Sequence, residues 1–364
     1  MKYENYLYSG LAILLAVFLG GLLSLMVGFD VLLVYRYLIQ GSIGTLWGFF
    51  NTADRWVVFV LIGLSMVIPF KMRIWTLGAE GQIYMGALAA TYIFTLYPSY
   101  ANIIVCSMAA ILLGGLWGII AGILKIKFDA DEIVTTLFMN YIAIFITGYF
   151  VGPEGSLRDT SQAGNQSLPI PYNLDLLTGA LIVLILAFLL YFLMTRTTIG
   201  YEIRALGSNP QAAEYAGMKR NRLVMLAMAI SGMIAGLSGV FLMTNITRIL
   251  VIDFSPGYGY IGIGITMLAD IHAIAVLPFA FFFSMLYSGG EYLNIRTGLP
   301  ITFINTIMAM VIIFSLLKNN FRHAVAWSRR IYRDRQQVLT RIKQAISRSM
   351  DAIRQFPRSK EVAE

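Results

Sequence analysis

Polar side chains inside apolar stretches are the first candidates for chemistry in this chain. Six of them lie within, or at an end of, stretches that are otherwise long and apolar: Glu80, Gln82, Thr136, Asn140, Tyr141 and Asn245. A polar or charged group in a membrane span costs free energy, so it normally faces a bundle interior or a water-filled path. We therefore treat these six residues as candidates for a substrate pathway.

Each candidate also has a structural interpretation. Glu80 stands where an apolar stretch begins, so it either lines a cavity or caps its own helix, where the helix dipole stabilises a carboxylate. Thr136 and Asn140 share one helix face at i, i+4 spacing. With Tyr141 they can offer hydrogen bonds and an aromatic surface to a sugar or a base. The alternative is hydrogen bonding between helices, worth on average about 0.6 kcal/mol.

Residues 195–222 form a polar, basic segment between two apolar stretches. Asn209-Pro210 marks a turn, Ser208 or Asn209 can cap a short helix that Pro210 begins, and Gly217 is a natural stop. The pattern predicts a two-turn helix outside the bilayer. Because so short a helix is marginal alone in water, we expect it to dock on another surface. The alternative is an ordinary basic loop.

Three motifs in a fixed order give the chain a family resemblance. Residues 207–217 (GSNPQAAEYAG) resemble the coupling loop of ABC importer permeases, in the branch for ribose-type sugars, branched-chain amino acids and nucleosides. Residues 75–90 (WTLGAEGQIYMGALAA) and 131–143 (DEIVTTLFMNYIA) are similar to its nucleoside and simple-sugar members. The acidic lead-in at residues 129–132 departs from that pattern and weakens the substrate assignment, not the coupling assignment.

The resemblance implies a function and a set of partners. It implies a transport subunit, not an enzyme, that moves a nucleoside (a purine nucleoside is favoured) or a simple sugar across a prokaryotic inner (cytoplasmic) membrane. A separate ATPase subunit, a second permease chain of the same or another sequence, and an extracytoplasmic substrate-binding protein complete such importers. The residues it implies for ATPase coupling are Ser208, Asn209, Pro210, Ala212, Ala213, Glu214 and Gly217.

Composition indicates an all-α, polytopic membrane bundle. The chain has 364 residues, of which 58% are hydrophobic, and a mean hydropathy of +0.73. Hydropathy and basic loops predict about ten spans (roughly 8–11), with both termini cytoplasmic. The predicted spans are 11–28, 56–70, 76–96, 103–124, 133–151, 174–194, 223–245 and 301–317, with an interfacial or re-entrant helix in 29–51 and two short or broken helices in 257–290.

Smaller features refine this topology. Asp270 and His272 predict a turn at the membrane edge, between the two short helices, in preference to a proton relay. The four-residue spacing of Gly114, Gly118 and Gly122, repeated at residues 232 and 236, predicts close helix crossings. Those crossings lie within one bundle by default, although a second permease could also use such a face.

The formal net charge of +8 lies entirely at the C-terminal end. From Lys318 onward there are twelve Lys or Arg against four Asp or Glu, and the rest of the chain is neutral. We divide the chain into a membrane domain (1–320) and a basic amphipathic tail (321–364) that lies on anionic lipid. Nucleic-acid binding is disfavoured because no fold motif supports it.

Several function classes lack their signature. One Cys and two His provide neither a disulfide framework nor a zinc cluster, and we expect no metal, cofactor or catalytic constellation. The sequence contains no Gly-Lys dipeptide and hence no Walker A loop, so its energy must come from elsewhere. The alternative function is an ion-coupled secondary transporter, with Glu80 or Asp270 as the coupling carboxylate.

Overall fold

The computed structural model of the protein describes residues 2–162 and 164–317. This part of the chain is helical, with extended chain paired only at isolated bridges such as Arg158–Ser167. The helices are α1 (Lys2–Met26), α2 (Val31–Ile39), α3 (Leu46–Lys71), α4 (Ala79–Leu96), α5 (Asn102–Phe128), α6 (Glu132–Val151), α7 (Leu176–Arg196), α8 (Thr198–Ser208), α9 (Pro210–Tyr215), α10 (Arg220–Phe241), α11 (Tyr258–Leu268), α12 (Ala273–Thr297) and α13 (Ile301–Leu317). The all-α prediction is confirmed.

Six of the described helices are long and apolar enough to cross a membrane: α3, α5, α6, α7, α10 and α12. Shorter apolar helices lie at Gly10–Met26, in α11 and in α13. The chain is therefore a multi-pass membrane protein. The figure of about ten spans and the cytoplasmic placement of both termini stay predictions, and the predicted tail (321–364) lies outside the described residues.

The start of α3 differs from the prediction. The span expected from Trp56 begins ten residues earlier, at Leu46, where the Thr45 hydroxyl accepts the Gly48 N–H at 3.0 Å. The helix continues through the charged residues at 54 and 55, because α3 packs against other helices there. Residues 29–51 hold α2, a π-helical segment (Gln40–Gly44) and the first turns of α3, where one interfacial or re-entrant helix was predicted.

The predicted break at residues 269–272 is confirmed, but the prediction of two short helices is wrong for the second one, because α12 has 25 residues and is long enough to cross a membrane. α11 has only 11 residues, and the chain turns at Asp270 and Ile271, both with positive φ, before α12 begins at Ala273. The Lys71 ammonium group lies 3.5 Å from the Asp270 carbonyl oxygen. α11 and α3 therefore end at the same side of the bundle.

The interior is built around α3 and α10. Every residue of α3 from Val57 to Phe70 is buried, whereas α7 buries only one face and presents leucines on the other. α5 crosses α10 on glycines, as predicted. A β-carbon at Gly114 would lie 2.8 Å from the Gly236 α-carbon and would meet the Gly232 carbonyl oxygen. The two backbones are thus in direct contact within one chain.

This crossing predicts opposite effects for the same substitution at two glycines. Gly232→Ala places a methyl group against the α5 backbone, and overpacking costs about 1–3 kcal/mol. In Gly148→Ala the methyl group meets only Ile252, at 3.7 Å, and the helix gains up to about 1 kcal/mol of propensity. We expect the thermal unfolding midpoint in detergent to fall for the first variant and to stay or rise for the second. Equal shifts would contradict the close crossing.

Candidate functional site

Thr136 and Asn140 on α6 hold the chain that leads into α4. The Thr136 hydroxyl accepts the Leu77 N–H at 3.0 Å, and the Asn140 side-chain oxygen accepts the Gly81 N–H at 2.8 Å. The Asn140 amide group donates to the Leu77 carbonyl oxygen (2.9 Å) and lies 3.2 Å from the Tyr260 hydroxyl. These bonds satisfy backbone groups that the first turn of a helix leaves without intrahelical partners. Both side chains therefore hydrogen-bond between helices in this conformation.

Glu80 caps a helix, but not its own. Its buried carboxylate accepts the Gly259 N–H at 2.6 Å, in the first turn of α11. In this conformation the carboxylate accepts its hydrogen bond from α11, while Glu80 itself lies in the first turn of α4, as the dipole interpretation expects. Its role in a substrate pathway stays a prediction.

The starts of α4 and α11 meet at this carboxylate. A β-carbon at Gly259 would lie 2.7 Å from the Glu80 α-carbon, so a glycine is required for the two backbones to come this close. Each helix N-terminus carries a partial positive charge, and one anion between two such ends is electrostatically favourable. Helix N-termini that meet inside a bundle are a recurrent feature of solute sites in transporters.

Gln82 and Tyr141 lie outside this cluster. Gln82 is buried beside Gly118, and its side-chain oxygen has no hydrogen-bond partner among the described residues. Tyr141 is half exposed and lines an outer groove of about 480 Å³ with Ile252 and Asp253. The structure therefore does not bring Tyr141 to the face that Thr136 and Asn140 share.

Asn245 has a bridging position in the outer half of the bundle. It lies in a second π-helical segment, Leu242–Thr247, that follows α10. Its amide group donates to the Asp54 carboxylate (2.8 Å) and the Leu174 carbonyl oxygen (2.9 Å), and its oxygen accepts the Leu174 N–H (3.2 Å). Asn245 thereby connects α10 to α3 and to the segment before α7.

Sequence reasoning missed Arg55, because it began the span at Trp56. The guanidinium group is buried, 2.6 Å from the Glu291 carboxylate, and it lies 5.0 Å from the centre of the Tyr287 ring. It also donates to Asn51 at 2.9 Å. Charged residues inside a membrane bundle are functional candidates by default. The signal that could have found Arg55 is Thr45, a cap residue ahead of a long apolar run.

The short helix predicted at the basic end is present as α9. Asn209, not Ser208, is its cap, since the Asn209 side chain accepts the Ala212 N–H at 3.1 Å and Pro210 occupies the first position. The Ser208 hydroxyl instead donates to the Ala205 carbonyl oxygen at the end of α8. Gly217 has a φ of 83°, a left-handed backbone conformation that favours glycine.

An unpredicted helix, α8, fixes α9 to the membrane domain. Ile203 and Leu206 of α8 are buried, and Gly207 packs its backbone directly on the Lys71 carbonyl oxygen at the end of α3. On α9, Ala213 faces inward and Tyr215 is 94% exposed.

The outward face of α9 combines charge with apolar surface. The half-exposed Glu214 lies 3.7 Å from Arg220, beside the exposed Tyr215 ring. An exposed tyrosine on a rigid, capped helix suits contact with another protein.

These features define a class: a helical membrane bundle with broken helices inside and a rigid helix pair on its basic face, as in a transport subunit. The chain belongs to the family described as the permease component of the branched-chain amino acid transport system, whose family model matches residues 48–317. The resemblance to ABC importer permeases is thereby confirmed, and the family supports the importer over the ion-coupled alternative.

Curated relatives are permeases of the same kind. A guanosine ABC transporter permease of Bacillus subtilis is 29% identical over 86% of this chain and 93% of its own length. A glucose ABC transporter permease of Haloferax volcanii is 29% identical over 88% and 90%. A nucleoside ABC transporter permease of Lactococcus lactis is 25% identical over 87% and 92%. No solved structure matches the chain.

The Glu80 cap predicts a local effect on α11. Glu80→Ala leaves the Gly259 N–H without its acceptor in a buried position, which costs about 1–3 kcal/mol. Glu80→Gln retains an acceptor oxygen and should restore most of the loss. Hydrogen–deuterium exchange of a peptide covering residues 255–265 should be fastest in the alanine variant, while a peptide covering 110–120 stays unchanged. Equal exchange in all three proteins would contradict the cap.

Proposed function

We propose that this permease imports a nucleoside, with a purine nucleoside favoured, and that α9 couples transport to a separate ATPase. The observation that carries the proposal is the capped α9, which presents Glu214 and Tyr215 while its base is fixed to α3. An ATPase, a second permease chain and an extracytoplasmic binding protein complete the proposed importer.

The contacts of α8 supply a route by which movement of α9 reaches the core. α8 follows α7 through Thr197, whose hydroxyl accepts the Gly200 N–H at 3.1 Å. It rests on the end of α3 through Gly207, and α3 is buried in the bundle interior. A push on α9 therefore displaces α3 and α7 together. In our proposal, closure of the ATPase pair delivers this push.

The polar candidates for the substrate pathway stay part of the proposal, but they can contact a solute only after the helices around them move. Thr136, Asn140, Glu80 and Asn245 all hydrogen-bond to the protein in this conformation. A solute could meet Glu80 only after α11 moves away from α4. It could meet Thr136 and Asn140 only after they release the chain that leads into α4, and Asn245 only after it releases Asp54 and Leu174. Gln82 would add its unused acceptor from its position beside Gly118, outside that cluster, and Tyr141 would contribute from the outer groove.

The nucleoside assignment is supported by the guanosine and nucleoside permeases among the relatives, and by the motifs at residues 75–90 and 131–143. A simple sugar is the second candidate, because the glucose permease of Haloferax volcanii is as similar in identity as the guanosine permease. Ribose links the two chemistries, since a nucleoside is a sugar with a base attached.

Charge reversal on α9 should separate the permease from its ATPase. Glu214→Arg creates a cluster with Arg220 and removes the ion pair. We expect affinity purification of the tagged chain to lose the co-purifying ATPase, and ATP-driven uptake to fall at least tenfold, the effect of about 1.4 kcal/mol. Lys127→Glu, a reversal on the exposed end of α5, should retain both. Uptake that survives Glu214→Arg would reject the coupling role of α9.

A bulky residue at 207 should uncouple transport without releasing the ATPase. Gly207→Val forces α8 away from the Lys71 carbonyl oxygen, yet it leaves the outward face of α9 intact. We expect normal co-purification of the ATPase with strongly reduced uptake. Tyr201→Val on the exposed face of α8 is the matched control and should transport normally. Normal uptake by Gly207→Val would show that this contact transmits nothing.

Competition distinguishes the two solutes. Uptake of radiolabelled guanosine in cells that express the full importer should be reduced by excess unlabelled nucleosides and not by glucose. The reverse order, with labelled glucose taken up and guanosine without effect, would favour the sugar assignment and leave the coupling proposal untouched.

A further inference from the structure

Two cavities lie along one seam between α3, α7 and α12. The upper cavity has a volume of about 550 Å³ and an apolar lining that includes Trp56, Ala180, Leu184 and Leu277. The lower cavity has a volume of about 430 Å³ and lies where α3 and α7 end. Its polar lining comprises Lys71, Tyr191, Thr195, Arg204, Asp270 and His272.

The cavities occupy the same faces of the helices that form them. On α7, Leu184 of the upper cavity and Tyr191 of the lower one are seven residues apart. On α12, Leu277 and Ala273 are four apart. Both spacings return to the same side of a helix. At 1.5 Å per residue the two linings on α7 are about 10 Å apart, a distance that one acyl chain is long enough to span.

The lower cavity suits an anion. Lys71 and Arg204 contribute two positive charges to its lining, against the single carboxylate of Asp270. The Lys71 ammonium group donates to the Asp270 backbone carbonyl oxygen at 3.5 Å, and the hydroxyls of Tyr191 and Thr195 add further polar atoms.

The lower cavity also lies on the cytoplasmic side. Arg73 follows the end of α3, and Arg196 is the last residue of α7. The positive-inside rule therefore places this end of the bundle in the cytoplasmic leaflet, where anionic lipids attract basic segments.

We propose that an anionic phospholipid of the inner leaflet binds along this seam, with its phosphate at Lys71 and Arg204 and one acyl chain in the upper cavity. A charged head joined to an apolar chain matches a polar cavity that lies about 10 Å from an apolar one on the same helix faces. A protein partner would need both chemistries on a segment narrow enough for the seam. Because Arg204 belongs to α8, such a lipid would contact the helix that supports α9.

The test uses the full chain, purified in mild detergent and washed, with native mass spectrometry to count retained phosphatidylglycerol and phosphatidylcholine. The wild-type protein should retain more phosphatidylglycerol than phosphatidylcholine. The double variant Lys71→Gln/Arg204→Gln should retain about thirtyfold less, since each basic side chain near an anionic membrane contributes roughly a factor of five. Ala180→Trp, which fills the upper cavity, should also lower retention. Lys127→Gln, an exposed basic residue outside the seam, should not.

Three results would overturn the proposal. Equal loss in Lys127→Gln would indicate general surface charge. Retention that is unaffected by Ala180→Trp, together with equal competition by glycerol phosphate, would indicate a free phosphate site with no acyl chain. A co-purifying protein that disappears in both the double variant and Ala180→Trp would indicate a protein occupant. If the double variant fails to fold, Arg204→Gln alone alters only an exposed side chain and should still show a partial loss.

Discussion

A backbone amide inside a membrane needs a partner from the protein, and that requirement organises this structure. Two helices, α4 and α11, begin within the bundle, where water cannot satisfy their first N–H groups. Asn140 supplies the acceptor for Gly81, and Glu80 supplies the acceptor for Gly259. The polar residues that stood out in the sequence are thus the ones that allow helices to start in the interior. Their satisfaction by protein groups also makes the present conformation a closed one around Glu80.

Packing explains why the same residues can serve a changing structure. α5 and α10 meet backbone to backbone on glycines, which gives one rigid body with little room for movement between its parts. α11, in contrast, is short, and positive-φ residues follow it. Hinges are loop or element-terminal residues that absorb changes in φ and ψ. In our proposal α11 moves, and the α5–α10 pair provides the frame.

The sequence predicted those elements whose signals are local. The spans now seen as α5, α6 and α7, the turn at Asp270 and the capped α9 follow from hydropathy, from turn residues and from Asn209-Pro210. It did not predict the early start of α3, because Arg55 finds its counter-charge on α12, more than 200 residues away. The sequence also could not predict that Glu80 accepts the Gly259 N–H, because this contact joins two helices, α4 and α11, that are far apart in the chain. The sequence did not predict α8, because its apolar face is short and its burial depends on contact with the end of α3.

The bare contact at Gly207 has a mechanical consequence. Where side chains separate two helices, they can change rotamer and so absorb part of a movement of one helix against the other. At Gly207 there is no intervening side chain, because its backbone rests on the Lys71 carbonyl oxygen of α3. Such a contact resists compression more than separation. In our proposal an inward push on α9 is therefore transmitted through it to the bundle, whereas the return stroke depends on other contacts.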